Sequence, residues 1–381
     1  MTRLCILGST GSVGAQALEV ARSLGLEIVG LSAWSSVDLL VEQAREFSPR
    51  AVAVGDSRCA ERARAALSTL SPSPELLIGR DGIAELAAYA EQDLVLNAIV
   101  GFEGVYPTLA ACAAGHDVAL ANKETLVAAG QLVMKAAQDA GCTIRPVDSE
   151  HSAIWQCLSG QDRSAVSRII LTASGGPFRD RTDLSEVTRA EAVSHPNWAM
   201  GPKISVDSAT MMNKALEVIE AHWLFGVDPD RIDVLIHRES VVHSMVEFID
   251  GSTIAQLGAA DMRVPIQFAI TYPKRRRGLS RGLDLASMGT LSFAHPDLNR
   301  FPAAGLGHAA LLRGGSCPAV MSAANEEAVR LFLAGRIRFT EITPAVIAAM
   351  NAFDDTGFDS IDAIARADAW ARDYVRGRCR L

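Results

Sequence analysis

Aromatic side chains are scarce in this 381-residue chain, 6% in all. No apolar run reaches the roughly 18–20 residues needed to span a bilayer, which excludes a membrane-spanning helix. The seven cysteines, at 5, 59, 112, 142, 157, 317 and 379, are odd in number and form no CxxC pair. They read as reduced thiols in a cytoplasmic protein. The eight histidines show no HExxH and no other zinc spacing, and no GxSxG elbow is present, so a zinc site and a serine hydrolase are set aside. Positive charge is not in excess: 44 Asp plus Glu against 36 Lys plus Arg leave a formal charge of −8. That balance argues against nucleic acid or an anionic membrane as the main partner, but not against an anionic small molecule in a local basic pocket. With the first predicted strand at Arg3, no leader segment is expected.

What is there is the composition of a folded globular protein: 49% hydrophobic, 21% charged and 15 Pro. Thirty Gly alongside few aromatics favour α/β turns over a β-sandwich, and the length suggests two or three domains. In the first half, β-rich runs at 3–8, 27–33, 51–55, 75–79, 94–100, 117–121 and 142–147 alternate with helical runs at 12–24, 37–47, 59–69, 82–90, 105–114 and 124–140. This spacing predicts right-handed crossovers onto a parallel, Rossmann-like α/β sheet. The pattern then changes. A strand at 167–173 runs into a Ser-Gly-Gly-Pro turn, followed by a loop at 194–201, a strand at 203–206 and a helix at 209–224. Strands at 232–237, 241–249 and 252–258 follow, the last two joined by the hairpin signal Asp250-Gly251. An α+β domain with a mixed sheet is expected there. The basic stretch at 274–285 reads as a linker with a solvated face. Helices at 303–313, 319–334, 341–351 and 361–375 predict a C-terminal four-helix bundle. The expected division is 1–148, 149–273, 274–300 and 301–381.

Gly8-Ser9-Thr10-Gly11-Ser12-Val13-Gly14 follows the first predicted strand and opens the first helix. Its GxxGxxG spacing is a relative of the dinucleotide fingerprint, in which glycine permits close backbone approach and first-turn N–H groups face a pyrophosphate. An ordinary βα turn also uses glycine; the placement between strand and helix favours the nucleotide reading. An NAD site puts Asp or Glu at the end of the second strand. Here Leu31-Ser32-Ala33-Trp34-Ser35-Ser36 has no carboxylate, which favours NADPH, although no Arg or Lys replaces it. Trp34 reads either as a packing residue or as a ring beside the adenine.

Asp148 and Glu150, two apart after the last strand of the first half, point the same way on extended backbone and offer oxygen ligands suited to Mg²⁺ or Mn²⁺. Taken alone, an acidic pair at a helix start is more often a cap. Asp207-Ser208-Ala209-Thr210 is expected to cap a helix carrying Asn213, Lys214 and Glu217 on one face. Solvated pairing would account for Lys214 with Glu217. It does not account for an amide, an ammonium and two hydroxyls at a helix start, where free N–H groups favour a phosphate. Ser174-Gly175-Gly176 offers a second oxyanion-binding turn. Of the histidines, His151 adjoins the acidic triplet, His195 lies in the Trp-containing loop, and His237 and His243 lie on or beside strands; the other four read as structural or surface residues.

LGSTGSVG at 7–14, LANKE at 120–124, PVDSEHSAI at 146–154, TASGGPFR at 172–179, the run from His195 to Ala221, HSM at 243–245 and AANEEAV at 323–329 together closely resemble the 1-deoxy-D-xylulose 5-phosphate reductoisomerase family. The resemblance runs nearly end to end. It implies NADPH- and metal-dependent rearrangement and reduction of 1-deoxy-D-xylulose 5-phosphate to 2-C-methyl-D-erythritol 4-phosphate, for isoprenoid precursor synthesis, by a cytoplasmic homodimer. It implies one Mg²⁺, Mn²⁺ or Co²⁺ on Asp148, Glu150 and Glu217, and a substrate phosphate among Ser174, His195, Ser208, Asn213 and Lys214. Ser149 and Lys123 match residues along the substrate's hydroxyl-bearing chain, with Lys123 and His195 beside the three carboxylates in the catalytic set. Thr10, Gly11, Ser12, Val13, Asn122, Glu124 and Gly201 match cofactor contacts, and Trp34 and Ser36 lie where the adenosine end is expected. Trp198 and Met200 match a loop that closes over substrate.

The chain departs from the family pattern at Trp34-Ser35-Ser36, at His237-Arg238-Glu239-Ser240 and at Ala259-Ala260 before Asp261-Met262-Arg263. The last two stretches are expected to tune packing or loop contact. Two other readings stand beside the resemblance: a sugar-phosphate dehydrogenase without isomerisation, which dispenses with the metal, and a nucleotide-sensing binding protein, which has no use for the three carboxylates.

Overall fold

Short runs of branched and small apolar residues become strands when both faces are covered by helices, and the first half of the chain does this seven times. In the computed structural model, which describes residues 2–198, 200–354 and 357–379, these strands are β1 (Arg3–Leu7), β2 (Glu27–Ala33), β3 (Ala51–Val54), β4 (Glu75–Ile78), β5 (Leu94–Asn97), β6 (Asp117–Leu120) and β7 (Ile144–Pro146). They pair in parallel in the order β4-β3-β2-β1-β5-β6-β7. Leu4, Cys5, Ile6 and Leu7 of β1 are fully buried, as a parallel sheet covered on both faces requires. The Ser12–Leu24 helix buries Gly14, Ala17, Leu18 and Ala21 at helical spacing and ends on Gly25 at φ +64°. The sheet order reverses direction at β1, whose neighbours are β2 and β5. This is the switch point where open α/β sheets bind ligands. The Arg263–Thr271 helix returns to the same unit, where Arg263 lies 3.3 Å from Glu19 on the first helix.

The second compact unit contains residues 149–261 and everything from Arg281 onward, together with Leu126–Leu132. Its sheet is β8 (Val166–Ala173), β9 (Ile232–Ile236), β10 (Val242–Phe248) and β11 (Thr253–Leu257), in the order β11-β10-β8-β9. The β10 strand is antiparallel to both neighbours and β9 is parallel to β8, so the expected mixed sheet forms. The Asp250-Gly251 turn joins β10 to β11 with Gly251 at φ +82°. Helices Leu306–Arg313, Cys317–Leu333, Ile342–Ala352 and Ile361–Arg378 form the expected C-terminal bundle. Val320, Ala324, Val346, Ala349, Ala367 and Ala371 lie in its core, which is continuous with Val206, Ala209, Met212 and Leu216.

Two expectations need correction. Residues 203–206 are helical, inside Pro202–Thr210, and the helix expected over 209–224 begins instead at Met212 and runs to Phe225. Between the two, Met211 takes a left-handed conformation at φ +66°. Lys-Ile-Ser-Val alternates like a half-buried strand, but Gly201 as N-cap and Pro202 at the first helical position start a helix, and burial of Ser205, Val206 and Ala209 completes it. Asp207 consequently caps nothing; it lies within the first of these helices.

Candidate active site

The glycine loop after β1 is built by close backbone contact. Gly8 sits at φ +77°, where a Cβ would lie 2.9 Å from the Ala98 carbonyl oxygen, and a Cβ on Gly14 would lie 2.3 Å from the Gly8 oxygen. Only glycine fits either place. The Gly8 N–H donates to Ser32 Oγ at 3.0 Å, and Ser9 Oγ donates to Gln43 Oε1 at 2.6 Å, which ties the loop to β2 and to the Val37–Phe47 helix. Thr10 lies in the turn. Gly11 caps the next helix with no side-chain bond, so the first-turn N–H groups of Ser12 and Val13 open at the helix end. Trp34 packs over Gly55, where a Cβ would meet the ring at 2.3 Å, yet 51% of the residue stays exposed. Ser36 holds the N-cap position of Val37–Phe47 without bonding through its side chain.

The Lys123–Ala140 helix follows β6. Asn122 caps it, accepting from Thr125 N–H at 2.6 Å, and its amide also donates to the Gly101 carbonyl at 2.9 Å. The Asn122 side chain is thus committed to the fold. Glu124, in the first turn of this helix, is buried. Gly201 lies at the start of Pro202–Thr210.

Lys123 and Asp148, both nearly buried, form an ion pair. The chain then enters the Ser149–Cys157 helix, where Ser149 Oγ donates to the Glu150 carboxylate. Lys214 Nζ lies 2.7 Å from Glu150 Oε1, donates to the Thr172 carbonyl at 2.6 Å and pairs with Glu217. The Asn213 amide also donates to Glu217. Burial pushes the Lys214 ammonium down, but Glu150 and Glu217 more than offset it and hold the group above its ordinary range. The solvated-face alternative fails, because Lys214 is 3% and Glu217 0% exposed. Ligand oxygens of Asp148, Glu150 and Glu217 all lie within 4.8 Å of one another. Three hard carboxylates that already gather two ammonium groups make a donor set that fits Mg²⁺ or Mn²⁺.

One group at this place was missed in the sequence. Glu220 is fully buried, 3.3 Å from His151 Nδ1, while His151 Nε2 meets the Glu217 carbonyl at 2.9 Å. Its spacing three residues after Glu217, on the same helix face, was the available signal.

The opposite wall starts where β8 ends. A Cβ on Gly176 would lie 2.6 Å from the Ser208 carbonyl oxygen, so glycine lets the Ser174 turn rest on the end of the Pro202–Thr210 helix. His195 Nδ1 accepts the N–H groups of Asn197 at 3.1 Å and Trp198 at 3.0 Å. The ring proton therefore resides on Nε2, which donates to Ser174 Oγ at 2.9 Å. Burial, then the Arg179 cation, then Lys214, against the opposing pull of Glu150, push the His195 pKa down to about 4. The ring is neutral at neutral pH. Ser174 Oγ also accepts from Gly176 N–H at 3.1 Å, so it accepts twice and keeps its own hydrogen to donate. The Trp198 ring lies 6.0 Å from that of His243. Asn197 donates to the Arg238 carbonyl at 2.9 Å and to Ser240 Oγ at 2.7 Å, which secures this loop to the departing 237–240 stretch. Arg238 pairs with Asp180 and Glu239 with Ser292, so the family departure there falls on packing and loop contacts.

Known proteins match this arrangement along the whole chain. A family model described as 1-deoxy-D-xylulose 5-phosphate reductoisomerase matches residues 4–130, and two models of that enzyme's C-terminal domain match 144–225 and 257–374. The chain is similar to the 1-deoxy-D-xylulose 5-phosphate reductoisomerase of Symbiobacterium thermophilum, 52% identical over 98% of this chain and 97% of that one. It is similar to the Gloeobacter violaceus enzyme of the same name at 48% identity over 99% and 97%. Among solved structures, the Zymomonas mobilis reductoisomerase in complex with NADPH superposes with a TM-score of 0.92 at 39% identity, covering 100% of this chain and 99% of that one. A DOX-P reductoisomerase in complex with NADPH, fosmidomycin and magnesium gives a TM-score of 0.95 at 39% identity over the same shares.

Proposed function

The chain belongs to the 1-deoxy-D-xylulose 5-phosphate reductoisomerase family, and from that premise we propose how its own side chains divide the work. The enzyme rearranges and reduces 1-deoxy-D-xylulose 5-phosphate to 2-C-methyl-D-erythritol 4-phosphate with NADPH and a divalent cation, in isoprenoid precursor synthesis. The observation that carries this reading to the level of residues is the convergence of the Asp148, Glu150 and Glu217 carboxylates. When bound, NADPH supplies the hydride and the cation supplies Lewis acidity toward substrate oxygens.

Asp148, Glu150 and Glu217 hold the cation. Lys123 and Ser149 orient the hydroxyl-bearing chain of the substrate. Ser174, Ser208, Asn213 and Lys214 take the phosphate, with His195 fixing the Ser174 hydroxyl so that its hydrogen faces outward. The phosphate lies away from the reacting carbons, and binding energy gathered there holds the two fragments in register during rearrangement. Trp198 and Met200 close over the substrate and exclude water. Thr10, Gly11, Ser12 and Val13 cradle the pyrophosphate, Trp34 and Ser36 meet the adenosine end, and Asn122, Glu124 and Gly201 complete the cofactor contacts.

Residues 1–148 carry NADPH, 149–273 carry the chemistry and the subunit contact, 274–300 link, and 301–381 form the bundle. Within the second of these spans, the Arg263–Thr271 helix belongs to the first compact unit. The working form is a homodimer. Leu285, Leu291 and Phe293 of the linking stretch are exposed apolar side chains that a second copy would cover. No helix among the described residues is long and apolar enough to cross a membrane, and the seven free cysteines suit the cytoplasm.

NADPH consumption with 1-deoxy-D-xylulose 5-phosphate, with and without Mn²⁺ and with the product identified, tests the whole reading. Metal-dependent formation of the branched product is expected. An unbranched alcohol formed without metal would establish the plain dehydrogenase instead. A second expectation concerns the cofactor. Ser35→Asp restores a carboxylate after β2, where it would repel the 2′-phosphate. Calorimetric titration should show NADPH binding weakened by about tenfold, ~1.4 kcal/mol, with NADH unaffected. Equal loss for both cofactors would place the 2′-phosphate elsewhere.

A further inference from the structure

Asn325, in the Cys317–Leu333 helix of the C-terminal bundle, is wholly buried, and its Nδ2 donates to Asp207 Oδ1 at 2.7 Å. Asp207 is itself 1% exposed, and its second oxygen lies 2.9 Å from Lys203 Nζ. Around this bond the core is apolar: Val206, Ala209, Met321, Ala324 and Ala328. An apolar pair of the same shape would fold about as well, so stability alone gives no reason for a carboxylate and an amide here. Such breaks of the local rule gather where orientation matters. Asn325 Oδ1 has no hydrogen-bond partner among the described residues. The amide is held through Nδ2 alone.

What the bond orients is the next residue. Asp207 and Ser208 are consecutive on a helix, about 100° apart in rotation, so fixing Asp207 in the core also fixes the direction of Ser208, which is only half-buried. The Ser208 carbonyl is the surface on which the Gly176 turn rests. Three residues on, Met211 in its left-handed conformation turns the chain into the helix that carries Asn213 and Lys214. Lys203 stands at the start of the Asp207 helix, directly after the loop of His195 and Trp198.

We propose that Asn325 is a positioning residue: through Asp207 it sets the rotation of the Pro202–Thr210 helix, and so the placement of the Ser208, Ser174 and Asn213 groups that take the substrate phosphate. The inference rests on the phosphate reading given above. The bundle thereby contributes to substrate recognition without touching substrate.

Asn325→Ala should raise KM for 1-deoxy-D-xylulose 5-phosphate about tenfold, the share of one hydrogen bond to a charged group. It should lower kcat less than threefold and leave the NADPH Kd unchanged. Asn325→Asp alone sets two carboxylates face to face and should do worse. The exchange Asp207→Asn with Asn325→Asp restores a bond of opposite polarity and should return KM most of the way to wild type, an outcome that a general loss of stability does not produce. Lys203→Met, measured alongside, gives the cost of losing the Lys203 pair, which the exchange also weakens. If Asn325→Ala does not fold, Asn325→Ser carries the same comparison. A folded alanine or serine variant with wild-type KM overturns the proposal, as does an exchange whose KM, after correction for Lys203, stays at that of the single variants. Ser208→Ala separates the two levels. If it leaves KM unchanged, the phosphate reading itself fails; if it raises KM and the Asn325 variants do not, only the positioning role fails.

Discussion

Glu217→Gln is expected to lower turnover by about 10³-fold, ~4 kcal/mol of transition-state stabilisation. The substitution barely changes side-chain volume, so the loss is one of charge and donor pattern. Glu217 is completely buried and receives the Lys214 ammonium and the Asn213 amide. A glutamine there would present its own N–H groups to two donors, or turn its oxygen to them and its amide toward the other carboxylates. Either arrangement reduces three negative charges to two where Asp148, Glu150 and Glu217 converge. Mn²⁺ affinity measured by calorimetry should fall in parallel with activity, and the substrate-saturated rate should not recover at accessible Mn²⁺. Thermal unfolding serves as the folding control. Near-wild-type activity at low Mn²⁺ would remove Glu217 from the cation's coordination shell.

The parts of the molecule legible in the sequence were those with a local signature. A parallel strand buried on both faces reads as a continuous apolar run, and Leu4–Leu7 followed by glycines and a helix announces β1 and the nucleotide loop together. Asp148 and Glu150 were legible as an acidic pair after the last strand, but the extended-backbone reason for it was wrong. Glu150 already lies in the Ser149–Cys157 helix, so two-residue spacing does not aim the two side chains alike. Asn213, Lys214 and Glu217 were legible because helical spacing puts them on one face. Residues 203–206 misled because Lys-Ile-Ser-Val has strand alternation, and a single Gly201-Pro202 step was the only contrary sign. The left-handed turn at Met211 was hidden, since neither Gly nor Asn marks it. Long-range polar partners left no trace either. Asp207 reads locally as a cap, whereas in the fold it is buried and accepts from Asn325, 118 residues away, while Lys203 pairs with its other oxygen. The depth of Lys214 belongs to the same class: its partner Glu150 lies 64 residues earlier, and nothing near Lys214 in the chain distinguishes a buried ammonium from a surface one.

That depth sharpens what Lys214→Ala should do. Lysine is a compact charge with rotatable donors, suited to a tetrahedral anion. Glu150 and Glu217 keep it charged despite burial, so under the proposed reading a phosphate would meet a positive charge in a poorly solvated place. It would take over one of the donors that here face Glu150, Glu217 and the Thr172 carbonyl. Loss of one charge-assisted hydrogen bond, about 1.5–3 kcal/mol, corresponds to roughly 10–150-fold in kcat/KM for the phosphorylated substrate. NADPH affinity should hardly change. A second effect follows from the ion pairs. Without the ammonium, Glu150 and Glu217 are left as buried carboxylates of like charge, a loss of about 3–5 kcal/mol in folding stability. Added Mn²⁺ supplies positive charge to the same carboxylates, so the melting temperature of Lys214→Ala should recover with Mn²⁺ far more than that of the wild type, while the phosphate-dependent affinity should not recover at all. A lysine that served only to neutralise its two glutamates predicts recovery of both. Calorimetry at fixed Mn²⁺ with a phosphorylated substrate analogue and its unphosphorylated counterpart distinguishes them: if the phosphate still strengthens binding to Lys214→Ala as much as it does to the wild type, Lys214 is a structural counter-charge and the phosphate is held by Ser174, Ser208 and Asn213 without it.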